Sequence, residues 1–122
     1  MSKVLLVEDD SLMVKMYDLK FTHDGFSVAV ALDGEEGLQK ARAENPDIIV
    51  LDIMLPKMSG TEVLEKLKED PTTRDKPVII LTNLNVTEED VAKCKDLGAK
   101  EILMKTDVTP QEVVDKIRQY LT

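Results

Sequence analysis

Tryptophan is absent from this chain, and two tyrosines and two phenylalanines bring aromatics to only 3% of 122 residues. Stacking platforms for single-stranded nucleic acid are not expected from so few rings. The core must instead be aliphatic, built from Val, Leu, Ile, Ala and six Met. Cysteine is equally scarce. Cys94 stands alone, which excludes an intrachain disulfide and a cysteine zinc site and makes the reducing cytoplasm the expected compartment. No apolar run approaches the ~20 residues of a membrane span, and the opening MSKVLLVEDD is too short in its apolar part and too acidic for a secretion signal. Membrane insertion and secretion are therefore not expected. Positive charge is in the minority, 16 Lys and Arg against 24 Asp and Glu, for a net charge of −8. Such a field repels phosphate backbones, so direct nucleic-acid binding is disfavoured and protein partners are expected.

What is present is the balance of a globular domain, 43% apolar and 33% charged. The length fits one domain over residues 1–122, with no room for an output domain. No internal repeat, low-complexity tract or linker interrupts it. Short β-branched runs alternate with stretches of helical spacing, the pattern of successive βα units around a parallel sheet. The strand candidates are 3–7, 27–32, 47–53, 77–81 and 101–104, and their near-continuous apolarity implies cover on both faces.

Between the strands, helix 11–22 carries Leu12, Met16 and Leu19 as its apolar repeat, and helix 35–43 carries Leu38 and Ala41. Helix 60–69 carries Val63, Leu64 and Leu67, and helix 88–97 carries Val91, Cys94 and Leu97. A last helix opens on Thr109, Pro110 and Glu112, an N-cap, first-turn proline and capping-box acid, before Val113, Val114, Ile117 and Leu121. Thr87 and Asp90 give a similar start signal, and Gly98 suits a left-handed helix stop. Right-handed crossovers then favour an α/β fold of the flavodoxin-like kind: a five-stranded parallel sheet of order 2-1-3-4-5, doubly wound with five helices.

In such a sheet ligands sit beyond the carboxyl ends of the strands. There the first strand delivers Glu8, Asp9 and Asp10, and the third delivers Asp52. Clustered carboxylates are tolerable when a cation neutralises them or a proton is shared, and hard oxygen ligands favour Mg²⁺ or Mn²⁺, with Asp9 and Asp52 the starting pair. The fourth strand ends at Leu81 and is followed by Thr82, and the fifth ends at Met104 and is followed by Lys105, a hydroxyl and an ammonium suited to phosphate oxygens. A carboxylate nucleophile, a divalent metal, a hydroxyl and a lysine are the parts that in-line phosphoryl transfer to an aspartate requires. Aspartate is ionised at neutral pH and attacks without a general base.

Four motifs, VEDD at 7–10, LDIMLPKMSG at 51–60, ILTN at 80–83 and LMKT at 103–106, resemble in order those of the receiver domains of two-component response regulators, the CheY-like family, across essentially the whole chain. The resemblance implies that Asp52 is the phosphoacceptor, Asp9 a direct Mg²⁺ ligand, Glu8 a metal-site acid acting mainly through water, and the backbone carbonyl of Met54 a further ligand. By the same match Thr82 binds and reports the phosphoryl group, Lys105 pairs with it, and Pro56 and Gly60 shape the loop after Asp52. Three positions depart from the family pattern. Thr106 replaces the usual proline after the lysine, Ile102 replaces a common aromatic, and Asn83 replaces a small residue.

The function so implied is a phosphorelay switch. A sensor histidine kinase or histidine phosphotransfer protein donates to Asp52, and the altered contact is with a downstream protein. The chain is expected as a monomer with a phosphorylation-dependent dimer, acting on no substrate beyond its own phosphorylation and dephosphorylation. Met54 and Leu84 flank the expected water path, which predicts slow self-hydrolysis.

Simpler roles compete for several of these residues. Asp10 or Ser11 serves as a helix cap, His23 as a solvated helix end, Cys94 as a small core residue and the six Met as core packing, with partner access an added role for Met13 and Met54 near the acidic edge. Rival functions are a degenerate receiver that only binds a partner, a haloacid-dehalogenase-like phosphatase, and a flavodoxin-like carrier. The phosphatase would need a second acid where Met54 stands. The carrier would need amides and hydroxyls where VEDD places carboxylates.

Overall fold

The computed structural model describes residues 2–83 and 85–121. Five strands, β1 (Lys3–Val7), β2 (Ser27–Ala31), β3 (Ile48–Leu51), β4 (Val78–Thr82) and β5 (Glu101–Met104), form one parallel sheet of order β2-β1-β3-β4-β5. Helices α1 (Ser11–His23), α2 (Gly34–Ala43), α3 (Gly60–Glu69), α4 (Glu88–Asp96) and α5 (Pro110–Leu121) alternate with them. The expected class and strand order are those observed. β3 is shorter than expected, because Asp52 and Ile53 leave the ladder to build the loop at the sheet's carboxyl edge.

Alternation along each strand sorts side chains into two apolar layers. Leu5, Val7, Ile49, Leu51, Val78 and Ile80 face α2, α3 and α4, whereas Val4, Leu6, Ile48, Val50, Ile79 and Leu81 face α1 and α5. The central strands β1, β3 and β4 are covered on both sides, while β2 and β5 lie at the edges and stay half-buried. Both predicted capping boxes are formed: Thr87 with Asp90, and Thr109 with Glu112, the latter at 3.0 and 3.2 Å. Gly98 takes the left-handed conformation, φ +92°, as the chain leaves α4.

The apolar face of α1 is a correction to the sequence reading. Leu12 and Leu19 are 78% and 65% exposed, and Met16 is also exposed, while Tyr17 and Phe21 are buried with Met13 packed beside them. Both sets have helical spacing, and they lie roughly 130° apart around the helix. The aromatic pair wins because its bulk fills the gap over β1 and β3. Tyr17 and Phe21 are tilted at 43° with centroids 5.5 Å apart, and Phe26 meets Phe21 edge-on.

Candidate functional site

Register brings the acids together. Val7 lies opposite Leu51 in the β1–β3 ladder, so the next residues, Glu8 and Asp52, emerge side by side, and the Asp52 N–H donates to the Val7 carbonyl at 3.1 Å. Glu8 and Asp52 are buried, whereas Asp9 is exposed, and one carboxylate oxygen from each lies within 4.8 Å of the others. Asp10 turns away to cap α1, accepting from the N–H groups of Leu12 and Met13 at 3.0 and 3.3 Å. The capping role weighed for Asp10 is therefore the one it fills.

From the other side, β4 and β5 deliver the hydroxyl and the ammonium. Thr82 is 0% exposed, and its Oγ1 donates to Asp52 Oδ1 at 2.8 Å. Lys105 Nζ lies 2.9 Å from Asp52 Oδ2 and 2.5 Å from Glu8 Oε1. The Met54 N–H donates to Asp52 Oδ1 at 3.1 Å, so its peptide borders the same carboxylate. The Lys105–Thr106 peptide bond, at the position where the family pattern has proline, is trans. Asn83 makes an extra polar contact, accepting from the Asn85 N–H at 3.0 Å, and Ile102 packs into the core beneath α4 rather than standing free.

One ammonium shared by two buried carboxylates leaves an excess of negative charge. Burial pushes the Glu8 carboxyl above its ordinary value, with Asp52 adding to the effect against the pull of Lys105. For Lys105, burial works against its charge, but the bonds to Glu8 and Asp52 prevail and hold its value up. The Glu8–Lys105 pair is not disclosed by spacing in the sequence, since it joins residues that follow β1 and β5, two strands that are not neighbours in the sheet. The donor set of three carboxylates has the hard-oxygen character that Mg²⁺ selects. Lys105 Nζ, seated between Glu8 and Asp52, marks the place as one where positive charge is favoured.

Gly60 supports the acceptor from behind. A Cβ there would lie 2.1 Å from the Asp52 carbonyl oxygen, and its N–H donates to the Ile53 carbonyl at 2.8 Å. The preceding turn passes through Lys57 at φ +67°, with Lys57 Nζ 3.4 Å from Asp33. His23 is exposed at the end of α1, and Cys94 is buried on α4 away from the acids, so neither joins the site. Met54 is exposed at the rim; Leu84 lies outside the described residues.

The family profile described as "Response regulator receiver domain" matches residues 4–118. "Response regulator ArlR" of Staphylococcus aureus strain Mu50 is 34% identical over 99% of this chain and 53% of its own length. "Response regulator ArlR" of Staphylococcus haemolyticus is 35% identical over 86% of this chain and 46% of its own length. The chain thus spans about half the length of the curated relatives it matches. Among solved structures, a CheY-like response regulator receiver domain protein from Methanospirillum hungatei JF-1 superposes with a TM-score of 0.92 at 29% identity, covering 99% of this chain and 94% of the other. Chemotaxis protein CheY4 of Vibrio cholerae does so with a TM-score of 0.89 at 27% identity, covering 99% of each chain.

Proposed function

Because the chain belongs to the response regulator receiver domain family, we propose that it is a phosphoacceptor switch of two-component signalling, loaded at Asp52 by the phosphohistidine of a histidine kinase or phosphotransfer protein. The observation that carries this reading is the setting of Asp52: 2% exposed, its two oxygens held by Thr82, Met54 and Lys105, with Glu8 and Asp9 alongside. An Asp52 oxygen attacks phosphorus, the P–O bond forms, and the P–N bond to the donor imidazole breaks. The imidazole nitrogen leaves with the electron pair and takes up a proton from water.

The resting hydrogen bonds serve the product as well. Whichever carboxylate oxygen attacks gives up a donor, and that donor already stands where phosphoryl oxygens arrive. Thr82 then bonds one such oxygen and Lys105 pairs with another. Glu8, Asp9, Asp52 and the Met54 carbonyl would hold Mg²⁺ (or Mn²⁺), which supplies charge neutralisation to the phosphoryl group when bound. The only reaction assigned to the chain is on itself, its own phosphorylation and dephosphorylation.

The output is an altered contact with a downstream protein, including phosphorylation-dependent pairing of two copies. The chain is proposed to work as one receiver domain in the cytoplasm; among the described residues no helix is long and apolar enough to cross a membrane. Self-hydrolysis is proposed to be slow, from the exposed Met54 at the rim and from the apolar Leu84 that follows Asn83 in the sequence. Unchanged phosphoprotein decay after both are made polar would refute that part.

The decisive measurement is intact mass after incubation with acetyl phosphate, with and without Mg²⁺, for the native chain and Asp52→Asn. A single metal-dependent phosphate in the native chain alone is the expected result. No adduct, together with no binding of beryllofluoride, would overturn the reading in favour of a phosphorylation-independent binding module.

A further inference from the structure

We propose that Asp33 and Lys57 are positioning residues of the cation site, their ion pair holding the Met54 peptide in place against the acids of β1. The inference rests on the phosphoacceptor reading above and on its metal set. That set draws on two parts of the chain: Glu8 and Asp9 just beyond β1, and Asp52 with the Met54 carbonyl in the segment between β3 and α3. The ladder fixes β1 and β3 to each other, but the segment after Asp52 leaves the sheet and needs a second support. α2 supplies it by touching both parts.

Two glycines seat the helix. A Cβ at Gly37 would lie 3.0 Å from a methyl of Val7, so α2 rests on the residue just before Glu8. A Cβ at Gly34 would lie 2.7 Å from the Met58 carbonyl oxygen and 2.8 Å from the Met58 Cβ, so the same helix abuts the loop that follows Asp52. Asp33 completes the junction with both of its carboxylate oxygens. Oδ1 accepts from the Glu36 N–H at 2.8 Å, capping α2, and Oδ2 lies 3.4 Å from Lys57 Nζ.

The backbone at Lys57 argues that its side chain matters. Lys57 is the central residue of a tight turn, with the Met58 N–H donating to the Pro56 carbonyl at 2.7 Å and φ at +67°. Turns of this hand are rare and strained for a residue with a Cβ, whereas glycine takes them freely. A lysine here forgoes that ease and gains an ammonium that reaches Asp33. The ends of the loop are already tied, since the Asp52 N–H donates to the Val7 carbonyl and the Gly60 N–H to the Ile53 carbonyl. Lys57 ties its middle. Met54 stands between these ties, and its N–H donates to Asp52 Oδ1 at 3.1 Å, so a loop that drifted from α2 would carry the Met54 peptide away from the acids.

Lys57→Gly keeps the turn and removes the ammonium, and Asp33→Asn keeps the helix cap and removes the charge, so both are expected to fold with urea midpoints near the native one. Mg²⁺ alone is titrated by calorimetry at matched ionic strength, and the Met54 amide is followed by ¹H–¹⁵N NMR in the metal-free chain. Each variant is expected to bind Mg²⁺ about two- to five-fold more weakly, the double variant no more weakly than the weaker single. The Met54 amide is expected to shift in all three, while Lys57→Arg keeps native affinity. Charge alone predicts otherwise: loss of a cation near the acids would tighten Mg²⁺ binding in Lys57→Gly, and loss of an anion would loosen it in Asp33→Asn. Opposite changes of that kind, or an unmoved Met54 amide, overturn the inference and leave the phosphoacceptor reading intact. A native chain that binds no Mg²⁺ overturns the inference together with the metal set, and the loading of Asp52 is then judged by the intact-mass measurement.

Discussion

Behind Asp52 there is no room for a methyl group. A Cβ at Gly60 would press on the backbone of Asp52 and Ile53, with 2.1 Å to the nearest atom, and main chain cannot swing aside as a flexible side chain can. Gly60→Ala is therefore expected to cost about 3 kcal/mol, the upper end of overpacking penalties, measured as a lowered urea midpoint at unchanged m-value. A neutral substitution would mean that the loop after β3 relaxes freely and does not position the acceptor. The resemblance singled out Gly60 as a loop-shaping residue, and the physical cause is this close approach. Asp9, Asp52, Thr82 and Lys105 were legible because each lies at or just beyond the carboxyl end of a strand, and strand ends converge in this topology. The exchange of partners within the group was not legible. That Thr82 and Lys105 both hold Asp52 in the resting state, and that Lys105 also takes Glu8, depends on side-chain reach across the sheet.

At the scale of single elements, α1 shows where periodicity misleads. With Leu12, Met16, Leu19, Met13, Tyr17 and Phe21 distributed around it, two apolar stripes coexist, and only the gap offered by the sheet and α5 selects between them. Phe21→Ala should cost about 3–5 kcal/mol, whereas Leu19→Gln should stay within about 0.5 kcal/mol, both by chemical denaturation. Equal costs would restore the stripe expected from the sequence. The capped helices were easier to read, because Thr87 with Asp90 and Thr109 with Glu112 are local signals that need no tertiary partner.

The tie between α2 and α3 gives a pH signature. Arg42 Nε lies 2.7 Å from Asp70 Oδ2, and that bond, followed by those from the Thr72 N–H and hydroxyl, holds the Asp70 carboxyl down at about 2. A carboxyl depressed by folding contributes stability fully above its unfolded value of about 3.9 and loses it as pH falls toward the folded value. Asp70→Asn is thus expected to lower Tm at pH 7, with a deficit that shrinks as pH falls from about 4 through 2. A deficit that persisted in acid would assign the role of Asp70 to geometry alone.

For the molecule as a whole, alternating strand and helix signals narrow the topology to a doubly wound sheet, since right-handed crossovers leave few arrangements of five βα units, and the order expected among them is the one observed. The same architecture makes the acid cluster a global matter. Glu8 and Asp52 extend directly from β1 and β3, neighbouring strands in the interior of the sheet, so the cluster exists only while the sheet is folded. If Mg²⁺ binds there as proposed, ligand linkage would add RT ln(1 + [Mg²⁺]/Kd) to the stability of the whole fold, about 2.7 kcal/mol at a hundredfold excess over Kd. The net charge of −8 would produce a smaller, non-specific gain with any salt, so the comparison must be made at matched ionic strength in NaCl. Asp9 is exposed, so Asp9→Asn should leave the metal-free Tm nearly unchanged while removing most of the Mg²⁺ increment. An increment that survived in Asp9→Asn would place the cation elsewhere on the acidic surface, and with it the neutralising charge that the proposed transfer to Asp52 requires.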